Sequence, residues 1–509
     1  MASKWKRKKG LEPDKDVVAV DTTELSPLGH CLLEQFAAGA SGPSIQKLAL
    51  AATKTFGESP ADLIDLASLG NFGRNPGNCA EQLTTRYCKS EAGNLPRPYL
   101  LEVPVRVRSN VDCAVSVVTK DVAIYLPHDW FAWVVSDHIS EDATEVLTGL
   151  SGLQKFWSEH NKSDPKLKGN PISKQKMEKY VPFVVHGDGG AFQRNDSINV
   201  LSMRSLLSAA NVGLSQFLLF SIPKACVNKS DDIEEDTMHH IWRALAWSFE
   251  ALFRGVHPVA DHQGVVFALS GDGVTAHILA NCCFDFVMKP GWVGGQDVKM
   301  KALFHRVLQQ YEELCIASEN RIGRLQPSNF CNPKNKFGQF PSMSGIKARH
   351  LRYLVPCFRE ICDHEKDERK PYTVHRWSCL HHMEIVYQCL EKASLHLDPG
   401  ARRRIASSMD LCLQHYTKCC KLCMQEGFLQ WNITHKHHLS CHLAAQAQYL
   451  NPKFVSTYTG ETMVGYMASL GHACLNGTPP HLVPEKVCWR FRLGMWLKLL
   501  GQDFAEDEA

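Results

Sequence analysis

The feature that most limits how this 509-residue chain can fold is a set of short apolar runs between residues 181 and 269. Residues 181–185, 198–203 and 216–222 are each too short for a stable helix and rich in branched and aromatic side chains, so they read as strands. The first runs into His186-Gly187-Asp188-Gly189-Gly190. An acidic stretch at 231–236 then precedes a helix with Ile241, Leu245, Trp247, Phe249 and Leu252 inward. A fourth strand is expected at 265–269, leading into Ser270-Gly271-Asp272-Gly273 and a helix with His277, Ile278 and Leu279.

The order strand, strand, strand, helix, strand, helix is that of a ribonuclease-H-like core. It puts one acid on or just after the first strand (Asp188) and another at the end of the fourth (Asp272), positions that converge at one end of the sheet in that fold. Two-metal phosphoryl transfer needs such a cluster: carboxylates hold two ions about 3.5–4 Å apart, which stabilise the attacking and leaving oxygens. Mg²⁺ keeps several of its waters, so two or three acids suffice. The flanking glycines leave room for a nucleic-acid backbone. The third acid is expected at Glu461, which opens a helix after the Asn451-Pro452 break, with Asp196 and Asp285 as rivals. Each acid also has a plainer reading. Gly-Asp-Gly is a common turn, and an acid at a helix start stabilises the helix dipole by about 0.3–1 kcal/mol.

The rest of the chain frames this core. A basic tail at 1–27, with Lys4, Lys6, Arg7, Lys8 and Lys9, is expected to be disordered and suits a nuclear address or a DNA-touching arm. A small helical module follows at 28–95, suited to packing or to docking DNA, and contains a tight polar loop at 70–78. Residues 96–160 form a strand-rich and helical accessory region, in which Val103, Val105 and Val107 alternate before a second alternating run from Val115. A lysine-rich linker is expected at 161–180. The first part of the core spans 181–295, a helical insertion 296–430, the helices completing the core 431–500, and an acidic tail 501–509; helix is expected to continue over 428–450 until the Asn451-Pro452 break. The expected fold class is thus mixed α/β (α+β), a ribonuclease-H-like core interrupted by a large helical insertion, with an N-terminal helical module.

Composition narrows the function classes. A chain 44% hydrophobic with 23 Phe and 11 Trp can form packed cores, which excludes global disorder. No run of about 18 apolar residues lacks charges, so no membrane span is expected, and no apolar run follows the first basic residues as in a secretory signal. A formal charge of +3 is too small to announce nucleic-acid binding by bulk electrostatics. Twenty cysteines in a long chain read as reduced thiols in a nuclear or cytoplasmic compartment. The single CxxC, Cys420 to Cys423, has no second pair to make a zinc ribbon. Nucleophile-elbow, Walker and dinucleotide signatures are missing from the sequence.

Two ligand-type clusters remain. His438 and His442 are spaced i, i+4 on an expected helix, a geometry that can chelate a metal, although packing or surface histidines are the simpler reading. Cys412, His415, Cys419, Cys420 and Cys423 fall on one helical stripe, where cysteine acts as a small buried hydrophobe.

Residues 64–79 (including Leu69-Gly70-Asn71-Phe72-Gly73-Arg74-Asn75-Pro76-Gly77-Asn78-Cys79), 181–189, 267–272 and 451–470 give the chain a resemblance to a family of transposase-like proteins multiplied in the genomes of certain unicellular algae. Its members look like DDE transposases, whose ribonuclease-H-like core cuts and joins DNA with divalent metal. The resemblance implies Asp188, Asp272 and Glu461 as the catalytic and metal-holding acids, Mg²⁺ or Mn²⁺ as cofactor, and double-stranded DNA as partner. Relatives often carry a Cys/His cluster soon after the second aspartate. Here only Cys282 and Cys283 stand there, so support for a zinc site is thin. Arg194, Arg204 and Lys436 are placed to contact phosphates, and a homo-oligomer is compatible with this chemistry. The expected activity is metal-dependent phosphodiester hydrolysis or strand transfer. The alternative is a catalytically inactive, transposon-derived protein that binds DNA or a protein partner.

Overall fold

The computed structural model describes residues 25–56, 58–89, 95–109, 112, 114–135, 145–149, 152–160, 180–193, 196–210, 212–254, 274–288, 293–330, 340–343, 346, 348–392, 394–455, 458–475 and 477–506. The chain divides into two compact units. One is built from 1–156, 175–269 and 459–509, the other from 157–174 and 270–458.

The first unit is mixed α/β, as the sequence leads one to expect. Its strands β1 (Tyr99–Arg108), β2 (Val115–Ile124), β3 (Phe183–Gln193), β4 (Asp196–Ser205) and β5 (Phe217–Pro223) form a five-stranded antiparallel sheet in the order β1-β2-β5-β4-β3. The hairpin β1–β2 follows from its alternation: Val103 and Val105 turn inward while Glu102 and Arg106 are solvated. It joins the same sheet as β3–β5, through Ile124 opposite Phe220.

Helices cover both faces of this sheet. Phe220 meets Trp242 edge-on, with centroids 6.2 Å apart, so the Thr237–Arg254 helix lies on the face shared by Ile124 and Phe220. Next along the chain, Tyr125 points the other way and donates its hydroxyl to the Cys488 carbonyl at 2.7 Å, which seats the Val483–Glu506 helix there. The N-terminal helices Pro27–Ala37, Gly42–Thr55, Ala61–Phe72 and Cys79–Leu83 bury Leu33, Phe36, Ile45 and Leu66. Ser26 and Ser41 cap the first two, each with a proline in the first turn.

Two local expectations need correction. β3 does not end at Val185. It continues through His186-Gly187-Asp188-Gly189-Gly190 in register with β4, Asp188 facing Val200, so this Gly-Asp-Gly is strand and not turn. The ladder to β4, anchored by buried Ile198 and Val200, holds the glycines extended. Likewise residues 428–434 do not belong to a continuous helix. Gly427 (φ +77°) and Trp431 (φ +57°) are left-handed, and helix resumes only at His435.

The second unit is helical among its described residues, with main helices Val274–Met288, Gln296–Glu313, Ala348–His364, Pro371–Lys392, Pro399–Gln425 and His435–Gln446. Cys412, Cys419, Cys420 and Cys423 are buried on one stripe of the Pro399–Gln425 helix, packing as small apolar groups. No described helix is long and apolar enough to cross a membrane.

Candidate active site

Asp188 lies on β3, an edge strand of the described sheet, with its carboxylate exposed and Oδ1 accepting the Gly189 N–H at 2.7 Å. Strand alternation puts His186, Asp188, Gly190 and Phe192 on one face of β3. The Tyr458–Cys474 helix packs on that face. A Cβ at Gly190 would sit 2.9 Å from Val464 Cγ1 and 3.0 Å from Ala468 Cβ, so only glycine admits the helix this closely. Further along, His472 Nδ1 is 2.8 Å from the Phe192 carbonyl oxygen, and a Cβ at Gly471 would stand 3.0 Å from Ile198 Cδ1.

These contacts fix the direction of the helix against the strand. Passing from Phe192 to Gly190 on β3 corresponds to passing from His472 to Val464 on the helix. One step further, Asp188 is two residues, about 6.8 Å, beyond Gly190. Residue 461 is three residues, about 4.5 Å of rise, beyond Val464. The backbone at Glu461, in the first turn of its helix, therefore lies on the Asp188 side of the Gly190 contact. The two positions are distant in sequence and lie to the same side of this glycine contact.

Polar groups line the same face of the sheet. His186 stands opposite Ser202, and Val200, opposite Asp188, stands opposite Ser221. Gln216 donates Nε2 to Ser202 Oγ at 3.0 Å. His186 Nε2, Gln216 Oε1 and Ser221 Oγ are buried without a hydrogen-bond partner among the described residues. Burial lowers the His186 pKa, and the neighbouring Asp188 charge raises it by less, so the imidazole is neutral at pH 7. Sequence reading passed over His186, although its i, i+2 spacing from Asp188 on a strand was a usable signal.

The remaining candidates separate. Asp272, Arg194 and the expected strand 265–269 fall outside the described residues. Arg204, half-buried on β4, faces Val184, four residues or about 13 Å of strand from Asp188. Of the rival acids, Asp196 opens β4 and accepts the Ser197 N–H at 2.9 Å. Asp285 is buried and committed to Tyr372, Arg376 and Gln430. Lys436, His438 and His442 lie on the His435–Gln446 helix of the other unit, with His442 exposed. Among the described residues no three His, Cys, Asp or Glu side chains are grouped so that they could hold a metal.

In the helical unit, His415 Nδ1 is 3.0 Å from His375 Nδ1 and its ring stacks on His382. Burial, then the neighbouring His375, Lys418 and His382, push His415 down to about 4. No protein-family model matches the chain, and no curated protein or solved structure matches it either.

Proposed function

We propose that the protein processes DNA by divalent-metal-dependent phosphodiester hydrolysis or strand transfer, with β3, β4 and β5 as the first three strands of a ribonuclease-H-like core. The observation that carries this reading is the seating of the Tyr458–Cys474 helix on Gly190, which brings the position of Glu461 toward Asp188. One further feature supports it. The Thr237–Arg254 helix follows β5 on the opposite face, in the chain order such a core requires.

The donor set suits a hard cation. Asp188 offers carboxylate oxygens at an exposed strand position between two glycines, and among the described residues no side chain is bonded to it. Mg²⁺ or Mn²⁺ held by Asp188, Asp272 and Glu461 would supply charge stabilisation to the attacking and leaving oxygens. The chain's own contribution is placement: glycines on either side of Asp188 let a phosphate backbone come close, and the helix contact at Gly190 holds the third acid in position. His186, neutral and one step along the strand face, adds a nitrogen beside the carboxylate without adding charge.

The test is cleavage of supercoiled and linear duplex DNA with Mg²⁺ or Mn²⁺ and with chelator. Asp188→Asn should abolish metal-dependent cleavage while the circular dichroism spectrum stays unchanged. Gly190→Val should reduce cleavage by moving the helix that carries Glu461. Wild-type protein that binds DNA with salt-sensitive affinity and never cuts it would replace this reading with that of an inactive DNA-binding relative.

A further inference from the structure

The Ala61–Phe72 helix does not end in an ordinary cap. After Leu69, whose φ and ψ of −51° and +140° leave the helix, Gly70 (+59°, +34°), Asn71 (+54°, +60°), Phe72 (φ +55°) and Gly73 (+79°, +4°) all take left-handed conformations. Four in a row make one turn of left-handed helix. For Asn71 this is tolerable, but a residue of the size of Phe72 is rarely found there.

The turn is held from several sides. Gly70 donates its N–H to Gln82 Oε1 at 2.7 Å, and its carbonyl accepts the Asn75 N–H at 2.7 Å. A Cβ at Gly70 would lie 2.5 Å from the Asn75 oxygen and 2.7 Å from Cys79 Sγ. Gly73 sits against Gln46, itself buried and tied to the Ala67 carbonyl. Strain kept by so many contacts marks a segment whose outward shape matters.

What the turn displays is unusual for a surface loop. Phe72 is 57% exposed. Asn71, Arg74, Asn75 and Asn78 are exposed, and their side chains hydrogen-bond to no described residue. No carboxylate occurs between Asp65, occupied by Arg86 and Tyr87, and Glu81. An unshielded aromatic beside one guanidinium and three free amides is the set that minor-groove proteins use. Arginine and asparagine read the groove floor while an apolar wedge enters between base pairs and kinks the duplex.

We propose that residues 70–78 form a preorganised wedge that enters the minor groove of duplex DNA, with Phe72 as the intercalating side chain and Arg74 and the asparagines as its polar flank. The choice of DNA rests on the function proposed above. The geometry of the wedge does not.

The experiment uses the full chain in chelator, where no cutting occurs, and a duplex of about 30 base pairs labelled at both ends. Anisotropy reports binding and energy transfer between the ends reports bending. Wild-type protein should bind and shorten the end-to-end distance. Phe72→Ala should lose the bend and weaken binding about tenfold. Arg74→Ala should lower the salt slope of binding by about one. Phe72→Gly should weaken DNA binding as Phe72→Ala does and raise the Tm by about 2–4 °C, because glycine relieves the left-handed strain. A residue kept only for structure would not separate those two effects. If wild-type protein binds and bends DNA but the Phe72 variants do so equally well, the wedge is overturned and the proposed function stands. If wild-type protein binds no duplex DNA, both fall.

Discussion

Asp285 in the helical unit and Ser221 in the sheet unit are both buried, yet they are treated in opposite ways. Asp285 accepts from Tyr372 at 2.6 Å and from Arg376 and Gln430 at 3.1 Å each, and Trp431 Nε1 closes the set by donating to the Tyr372 hydroxyl at 2.9 Å. Ser221 Oγ, on a wholly buried residue, has no partner among the described residues, and Gln216 Oε1 and His186 Nε2 in the same unit have none either. The Asp285 carboxylate is answered on both oxygens and ties the 274–288 and 371–392 helices to the segment before His435, although Arg376 Nε beside it is buried with no partner among the described residues. The sheet unit leaves polar atoms open along the sheet face that carries the exposed Asp188. Polar groups that folding leaves unanswered are where chemistry or ligands have room to act.

The largest effect that would test this contrast comes from Asp285→Leu. It strands the Arg376 guanidinium in the core and should destabilise the helical unit by about 3–5 kcal/mol, read from the urea midpoint of its unfolding. A loss under about 1 kcal/mol would mean that Asp285 does not hold the Arg376 charge in the core.

A smaller effect is expected with pH. Burial holds His375, His382 and His415 below the usual histidine value, His415 at about 4, and Lys418 and the neighbouring imidazoles add to the shift. The folded state then binds fewer protons than the unfolded one between roughly pH 6.5 and 4. The stability these neutral rings contribute is complete above about 6.5, is lost as pH falls toward 4, and changes no further below that. His415→Gln should flatten the acid limb of a Tm-against-pH curve. The rings are partly exposed, so salt should shrink the difference. An acid limb that keeps its slope in the variant would show that other groups set it.

The smallest effect sharpens the sheet side. Ser221→Ala removes a buried hydroxyl with no partner and should be neutral or slightly stabilising, within about 1 kcal/mol of wild type in thermal unfolding. A clear destabilisation would reveal a bond that the open-face description lacks.

The local patterns carried much of the architecture. Alternation from Tyr99 to Ile124 specified the hairpin, and the short apolar runs specified β3, β4 and β5, because side chains that alternate across a strand are legible from neighbours alone. The cysteine stripe at 412–423 was legible for the same reason. Asp188 could be singled out as a type of residue in a type of place.

Tertiary structure decided what those patterns meant. Gly187 and Gly189 look like turn residues until β4 pairs with them and makes them strand. Gly190 has no visible task until Val464 and Ala468 occupy the space of its missing side chain, from 274 and 278 positions away. Asp285 is a plausible catalytic acid until Arg376 and Tyr372 claim it. Phe72 is one residue of a polar loop until Gly70, closed in by Asn75 and Cys79, turns the chain left-handed beneath it. Secondary structure is written in side-chain period, which depends on residues a few places apart. The roles of single glycines and carboxylates depend on which distant side chain fills the space beside them, and that is settled only when the chain packs.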